Sequence, residues 1–105
     1  MFEIFTDANF EEKVMKTTKL AVVDLSAEWC GPCRMVSPII HELATEYDGR
    51  IVAGELNVDE NPVTTGQFKV RNIPTVLFIK NGEVVDKQVG AVPKASFKAL
   101  IEKHI

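Results

Sequence analysis

The chain has 105 residues, 46% of them hydrophobic, which suffices for one compact domain spanning 1–105 and is too short for two. A formal net charge of -3, with twelve scattered Lys and Arg, gives no electrostatic reason to attract nucleic acid or an anionic membrane. Met1-Phe2-Glu3-Ile4-Phe5 carries no basic stretch followed by a long apolar run, so neither a secretory signal nor a spanning helix is expected, and the cytoplasm is the expected location.

The punctuation of the chain separates alternating elements. Phe2 to Phe5 reads as a short first strand, and Thr6 or Asp7 is placed to cap a helix ending near Lys16, with Phe10 and Val14 on one face. The nearly continuous apolar run Leu20-Ala21-Val22-Val23-Asp24-Leu25 predicts a strand covered on both faces, and Trp29-Cys30-Gly31-Pro32-Cys33 follows it closely. Beyond Cys33, the residues Val36, Ile39, Ile40, Leu43 and Tyr47 recur at helical spacing, closed by Gly49 and carrying Pro38 inside.

Ile51 to Val58 predicts a third strand, and Asn61-Pro62 opens a short helix reaching about Phe68. Thr75 to Ile79 and Val84 to Val89 flank Asn81-Gly82, a strong signal for a tight antiparallel hairpin. Pro93 starts a last helix with Phe97, Leu100 and Ile101 on its core face and His104 at the margin. The order βαβαβαββα predicts an α/β fold: a mixed five-stranded sheet flanked by four helices, with the cysteine motif at the carboxyl end of a strand.

Two cysteines separated by two residues can close a disulfide or supply half of a tetrahedral metal site. A structural zinc would need two more ligands, and the only histidines, His41 and His104, lack the paired spacing of a zinc module. A CxxC within a βαβ pattern reads instead as a redox pair. If the helix starts at the motif, its unpaired N–H groups and dipole favour a thiolate at Cys30, which makes Cys30 the attacking sulfur and Cys33 the one that resolves the mixed disulfide. Gly31 lets the backbone turn and approach another chain, while Pro32 stiffens the loop and adds no cation, a pairing that favours a reductant over an oxidant.

Trp29-Cys30-Gly31-Pro32-Cys33, Asp24 six positions before the first cysteine, Ile73-Pro74-Thr75 and Val89-Gly90-Ala91 together resemble the thioredoxin family, over about Thr6 to Ile105. The resemblance implies the thioredoxin-like fold and a small electron carrier that reduces client disulfides and holds no cofactor. It implies recharging by an NADPH-dependent flavoprotein reductase, and ribonucleotide reductase, methionine sulfoxide reductases and peroxiredoxins as clients. By resemblance Pro74 is a cis proline beside the cysteines, the backbone around Ile73 pairs with an extended client, and Trp29, Gly90 and Ala91 complete a flat docking surface. Two departures stand out: Ser26 where the family usually has a second tryptophan, and Glu55 where many members have a lysine that tunes the buried aspartate.

Each functional reading has a plainer competitor. Asp24 in an apolar strand is a proton acceptor for Cys33 or an acid at a frayed strand end, and the cost of burying an unpaired carboxylate favours the first. Trp29 is a docking surface or a lid on the motif. His41 and His104 read as helix-surface residues, Met35 and Phe68 as core packing. The rival functions are a protein-folding disulfide oxidant or isomerase, disfavoured by the cation-free Gly31-Pro32 pair, and a redox-silent binding module, disfavoured by two intact cysteines with Asp24.

Overall fold

The computed structural model describes residues 2–105. Five strands, β1 (Phe2–Phe5), β2 (Leu20–Ser26), β3 (Ile51–Asn57), β4 (Thr75–Lys80) and β5 (Glu83–Val89), form one sheet in the order β1-β3-β2-β4-β5. The β1–β3 and β2–β3 pairs are parallel, whereas β4 runs antiparallel to both β2 and β5. Helices α1 (Cys33–Glu46), α2 (Pro62–Gln67) and α3 (Lys94–His104) and a π-helical turn at Glu11–Met15 complete the thioredoxin-like α/β fold expected from the sequence. Among the described residues, no helix is long and apolar enough to cross a membrane.

Strand alternation divides the core into two layers. Leu20, Val22, Ala53, Val76 and Phe78 face α1 and α3, meeting Val36, Ile40, Leu43, Phe97 and Ile101. Ala21, Val23, Leu25, Leu77 and Ile79 face the other way, onto Phe5, Phe10 and Val14. Strand β2 is buried from Leu20 to Leu25 because it lies at the sheet's centre under both layers. Asp24 shares the α1 side with Leu20 and Val22.

Two glycines are fixed by geometry. Asn81 and Gly82 both adopt positive φ, 53° and 79°, as a two-residue hairpin turn requires. At Gly54 a Cβ would run into the backbone carbonyl of Glu3, so β1 can sit against β3 only because that position has no side chain.

The first helical segment differs from its expected form. Thr6 does receive the Asn9 N–H on its hydroxyl at 3.2 Å, but the segment then widens so that the Lys16 N–H reaches the Glu11 carbonyl at 3.1 Å. Asp7 caps a different helix: its carboxylate accepts the Thr64 N–H at 2.8 Å, the Thr64 hydroxyl at 2.6 Å and the Val63 N–H at 3.2 Å, at the start of α2. Asn61 returns the bond by accepting the Asp7 N–H at 2.8 Å. Met35, read as core, is 67% exposed, because the inward positions of α1's first turns go to Cys33 and Val36. Phe68 is half-buried against Phe10, and Pro93 lies just before α3 rather than within it.

Candidate active site

The site forms where β2 ends and α1 begins. Ala27 accepts the Cys30 N–H at 3.2 Å, turning the chain so that Gly31 and Pro32 lead into a helix whose first residue is Cys33. Cys30 and Cys33 are joined as a disulfide with Cα atoms 5.3 Å apart. The Cys33 N–H, one of the donors that a helix leaves unpaired at its start, points at the Cys30 sulfur at 3.2 Å. Negative charge on Cys30 would therefore meet both a direct donor and the positive end of a 14-residue helix. Cys30 is 4% exposed and Cys33 3%, so bulk exposure does not distinguish them.

Ile73 packs against the cluster of Ala27, Cys30 and Cys33, and the Ile73–Pro74 peptide bond is cis. The Pro74 carbonyl accepts the Gly90 N–H at 2.9 Å, which holds the chain after β5 beside the proline, with Gly90 at φ 94° and Ala91 exposed next to it. Trp29 is 70% exposed, and its indole N–H donates to Asp59 Oδ2 at 2.7 Å. Asp59 in turn sits in a turn organised by Asn57, whose side-chain oxygen accepts the Asp59 and Glu60 N–H groups at 2.9 and 3.1 Å. The sequence reading missed Asp59. The Asn57-Val58-Asp59-Glu60 turn chemistry was visible locally, but the 30-residue reach to Trp29 was not.

Asp24 is fully buried, and neither carboxylate oxygen has a hydrogen-bond partner in the protein. Glu55 faces it in register across the parallel β2–β3 pair. Burial, reinforced by the Glu55 charge, pushes the Asp24 carboxyl from 3.8 up to about 7. Glu55 itself receives the Ser37 hydroxyl at 3.4 Å, a contact from α1 that the sequence did not signal. Gly31 and Pro32 are exposed at the tip of the loop. His41 stacks on the Phe2 ring and His104 bonds Asp86 at 3.1 Å, both away from the cysteines in sequence and contacts. Among the described residues, no group of His, Cys, Asp and Glu is arranged to hold a metal ion.

The thioredoxin family model matches residues 1–103. The chain is 50% identical over 100 residues to thioredoxin 2 of Chlorobaculum tepidum, covering 95% of this chain and 92% of that protein. It is 48% identical over 99 residues to a thioredoxin of Haemophilus influenzae, covering 94% and 92%. It is also 48% identical over 103 residues to the chloroplastic M-type thioredoxin of Pisum sativum, covering 98% of this chain and 60% of that one. Identity at this level along almost the whole chain, with the bonded cysteine pair in place, means that the protein belongs to the thioredoxin family and is a thiol-disulfide oxidoreductase that reduces disulfides.

Proposed function

We propose that this chain, acting as one domain, is a two-electron carrier that takes reducing equivalents from an NADPH-dependent flavoprotein reductase and delivers them to client proteins in the cytoplasm. Cys30 attacks the client disulfide, a mixed disulfide forms, and Cys33 attacks Cys30 to release the reduced client and close the Cys30-Cys33 bond. Asp24 takes the proton from Cys33 as it becomes a nucleophile, with Glu55 setting how readily it does so. The donation from the Cys33 N–H to the Cys30 sulfur carries this reading, because it stabilises charge on one cysteine of the pair.

Trp29, Ile73, Pro74, Gly90 and Ala91 form the client-docking surface in this proposal, and the contacts among Ile73, Pro74, Gly90 and the cysteines support it. Gly31 and Pro32 bring no cation to the sulfurs, which favours reduction over oxidation of clients. Ribonucleotide reductase, methionine sulfoxide reductase and peroxiredoxin are the proposed clients. The test is NADPH oxidation coupled through a thioredoxin reductase to a protein disulfide: turnover that requires this chain is expected, and none after Cys30→Ser. Failure to couple with competent reductases would overturn the carrier role.

A further inference from the structure

A shallow pocket of about 150 Å3 lies where β4 begins and β5 ends, and Lys69, Arg71 and Lys87 supply its charge. The rest of its lining is neutral. Asn72 and Thr75, both in its wall, bracket Ile73 and Pro74, and Val89 precedes Gly90, so the pocket is continuous with the proposed docking surface. All three cations are exposed, and among the described residues their side chains have no hydrogen-bond or ion-pair partner. Their convergence stands out on a chain whose net charge is -3.

Lys69 is held at φ 54°, in the left-handed region just past α2, with its N–H on the Gly66 carbonyl at 3.1 Å. Glycine is the residue that such a helix end accepts without strain, so a cation is kept here against a conformational cost. Lys87 pairs with Leu77 across β4 and β5 and shares a sheet face with Val89, two residues on, which brings it over the same pocket. Asp86 does not neutralise it: alternation turns that carboxylate to the other face, where His104 lies at 3.1 Å and Lys103 at 3.8 Å.

Across β2 the charge reverses. The cleft at the ends of β1 and β3 is lined by Glu28, Glu55 and Glu60, with Arg34 alone against them. An extended segment lying over the cysteines thus meets cations on one flank and carboxylates on the other. We propose that Lys69, Arg71 and Lys87 form an anion subsite that selects client segments carrying Asp or Glu on one side of their disulfide. This inference rests on the docking surface proposed above and gives it a direction: acid toward β5 is attracted, acid toward β1 is repelled. Because the cations are exposed, the preference is modest and screened by salt.

The test uses peptides closed by one internal disulfide, with two Glu, two Ser or two Lys outside the ring on either the amino or the carboxyl side. The pre-reduced full chain is mixed with each, quenched with acid and alkylated, and the peptide thiols formed give a second-order rate constant. Glu on one side is expected to raise the rate about five-fold over Ser, and Lys to lower it. Glu on the other side should bring no gain, and the difference should close at high salt. Lys69→Gly, which suits the left-handed backbone, and Lys87→Gln are each expected to reduce the Glu-to-Ser ratio, and the double variant to remove most of it. Equal gains from Glu on both sides, or a ratio unchanged by high salt or by the double variant, would overturn the subsite. Should a variant fail to fold, the flank and salt dependence of the wild-type chain decide. Reduction of the Ser peptides without any Glu preference overturns the subsite alone, whereas a wild-type chain that reduces none of the peptides overturns the carrier reading beneath it.

Discussion

Asp24 and Glu55 stand side by side on parallel strands, one without a hydrogen-bond partner and fully buried, the other tied to Ser37 on α1. Because the Asp24 carboxyl is raised from 3.8 to about 7, it costs nothing while protonated in both folded and unfolded chains, below 3.8. The fold then loses stability as pH rises from 3.8 to about 7, and the full cost is present above that. At about 1.4 kcal/mol per pKa unit, that cost is on the order of 4 kcal/mol. Asp24→Asn is therefore expected to stabilise the protein at about pH 8 and to change it little near pH 3, as read by denaturant unfolding at both values. An equal effect at both would show that Asp24 does not titrate in the fold.

Glu55→Lys replaces a repelling charge with an attracting one. It is expected to lower the Asp24 pKa and to move the pH profile of client reduction toward acid, while Asp24→Asn slows client release. Comparing the two single variants with the double variant measures the coupling between the two positions. A profile that stays put in Glu55→Lys would remove Glu55 from the tuning of the site.

Cys33→Ser is expected to accumulate a stable mixed disulfide with clients through Cys30, whereas Cys30→Ser should lose both trapping and reduction. Mass spectrometry of the adducts distinguishes them. Equal trapping by the two variants would contradict the division of labour that the Cys33 N–H donation supports.

Asp59 holds the exposed Trp29 ring through one bond of 2.7 Å. Asp59→Ala should free the ring, shift the emission of the single tryptophan, and raise the client KM several-fold with kcat nearly unchanged, because docking rather than chemistry is touched. A fall in kcat at constant KM would mean that Asp59 acts on the sulfurs instead.

Gly54→Ala puts a methyl group 2.7 Å from the carbonyl carbon of Glu3, where only backbone can yield. It should cost about 1–3 kcal/mol, as overpacking does in cores, and loosen β1 first. Hydrogen exchange at Phe2–Phe5 reads that loosening directly, and unchanged exchange there would mean that β1 shifts without strain.

Much of this architecture follows from local chemistry. Asn81-Gly82 specified its hairpin because positive φ at both positions is what that turn needs, and the apolar run at Leu20–Leu25 marked the central strand because both of its faces are covered. Cys30 and Cys33 declared themselves by spacing. What stayed hidden depends on chain segments meeting from far apart. Asp7 reads as a cap for its own helix, yet it caps α2, 57 residues on at Thr64. Met35 carries the composition of a core residue, but helix periodicity leaves it on the outward side of α1. Ser37 becomes informative only once Glu55 is opposite it.

The position of β2 at the centre of the sheet has a further consequence for motion. The redox loop is attached to a strand hydrogen-bonded on one side to β3 and on the other to β4. Amide protons of Val22 to Leu25 should thus exchange with solvent only when the whole molecule opens, and at the same rate ratio to global unfolding in the oxidised and dithiol forms. Such exchange would mean that the cysteines change chemical state on a mount that does not move with them.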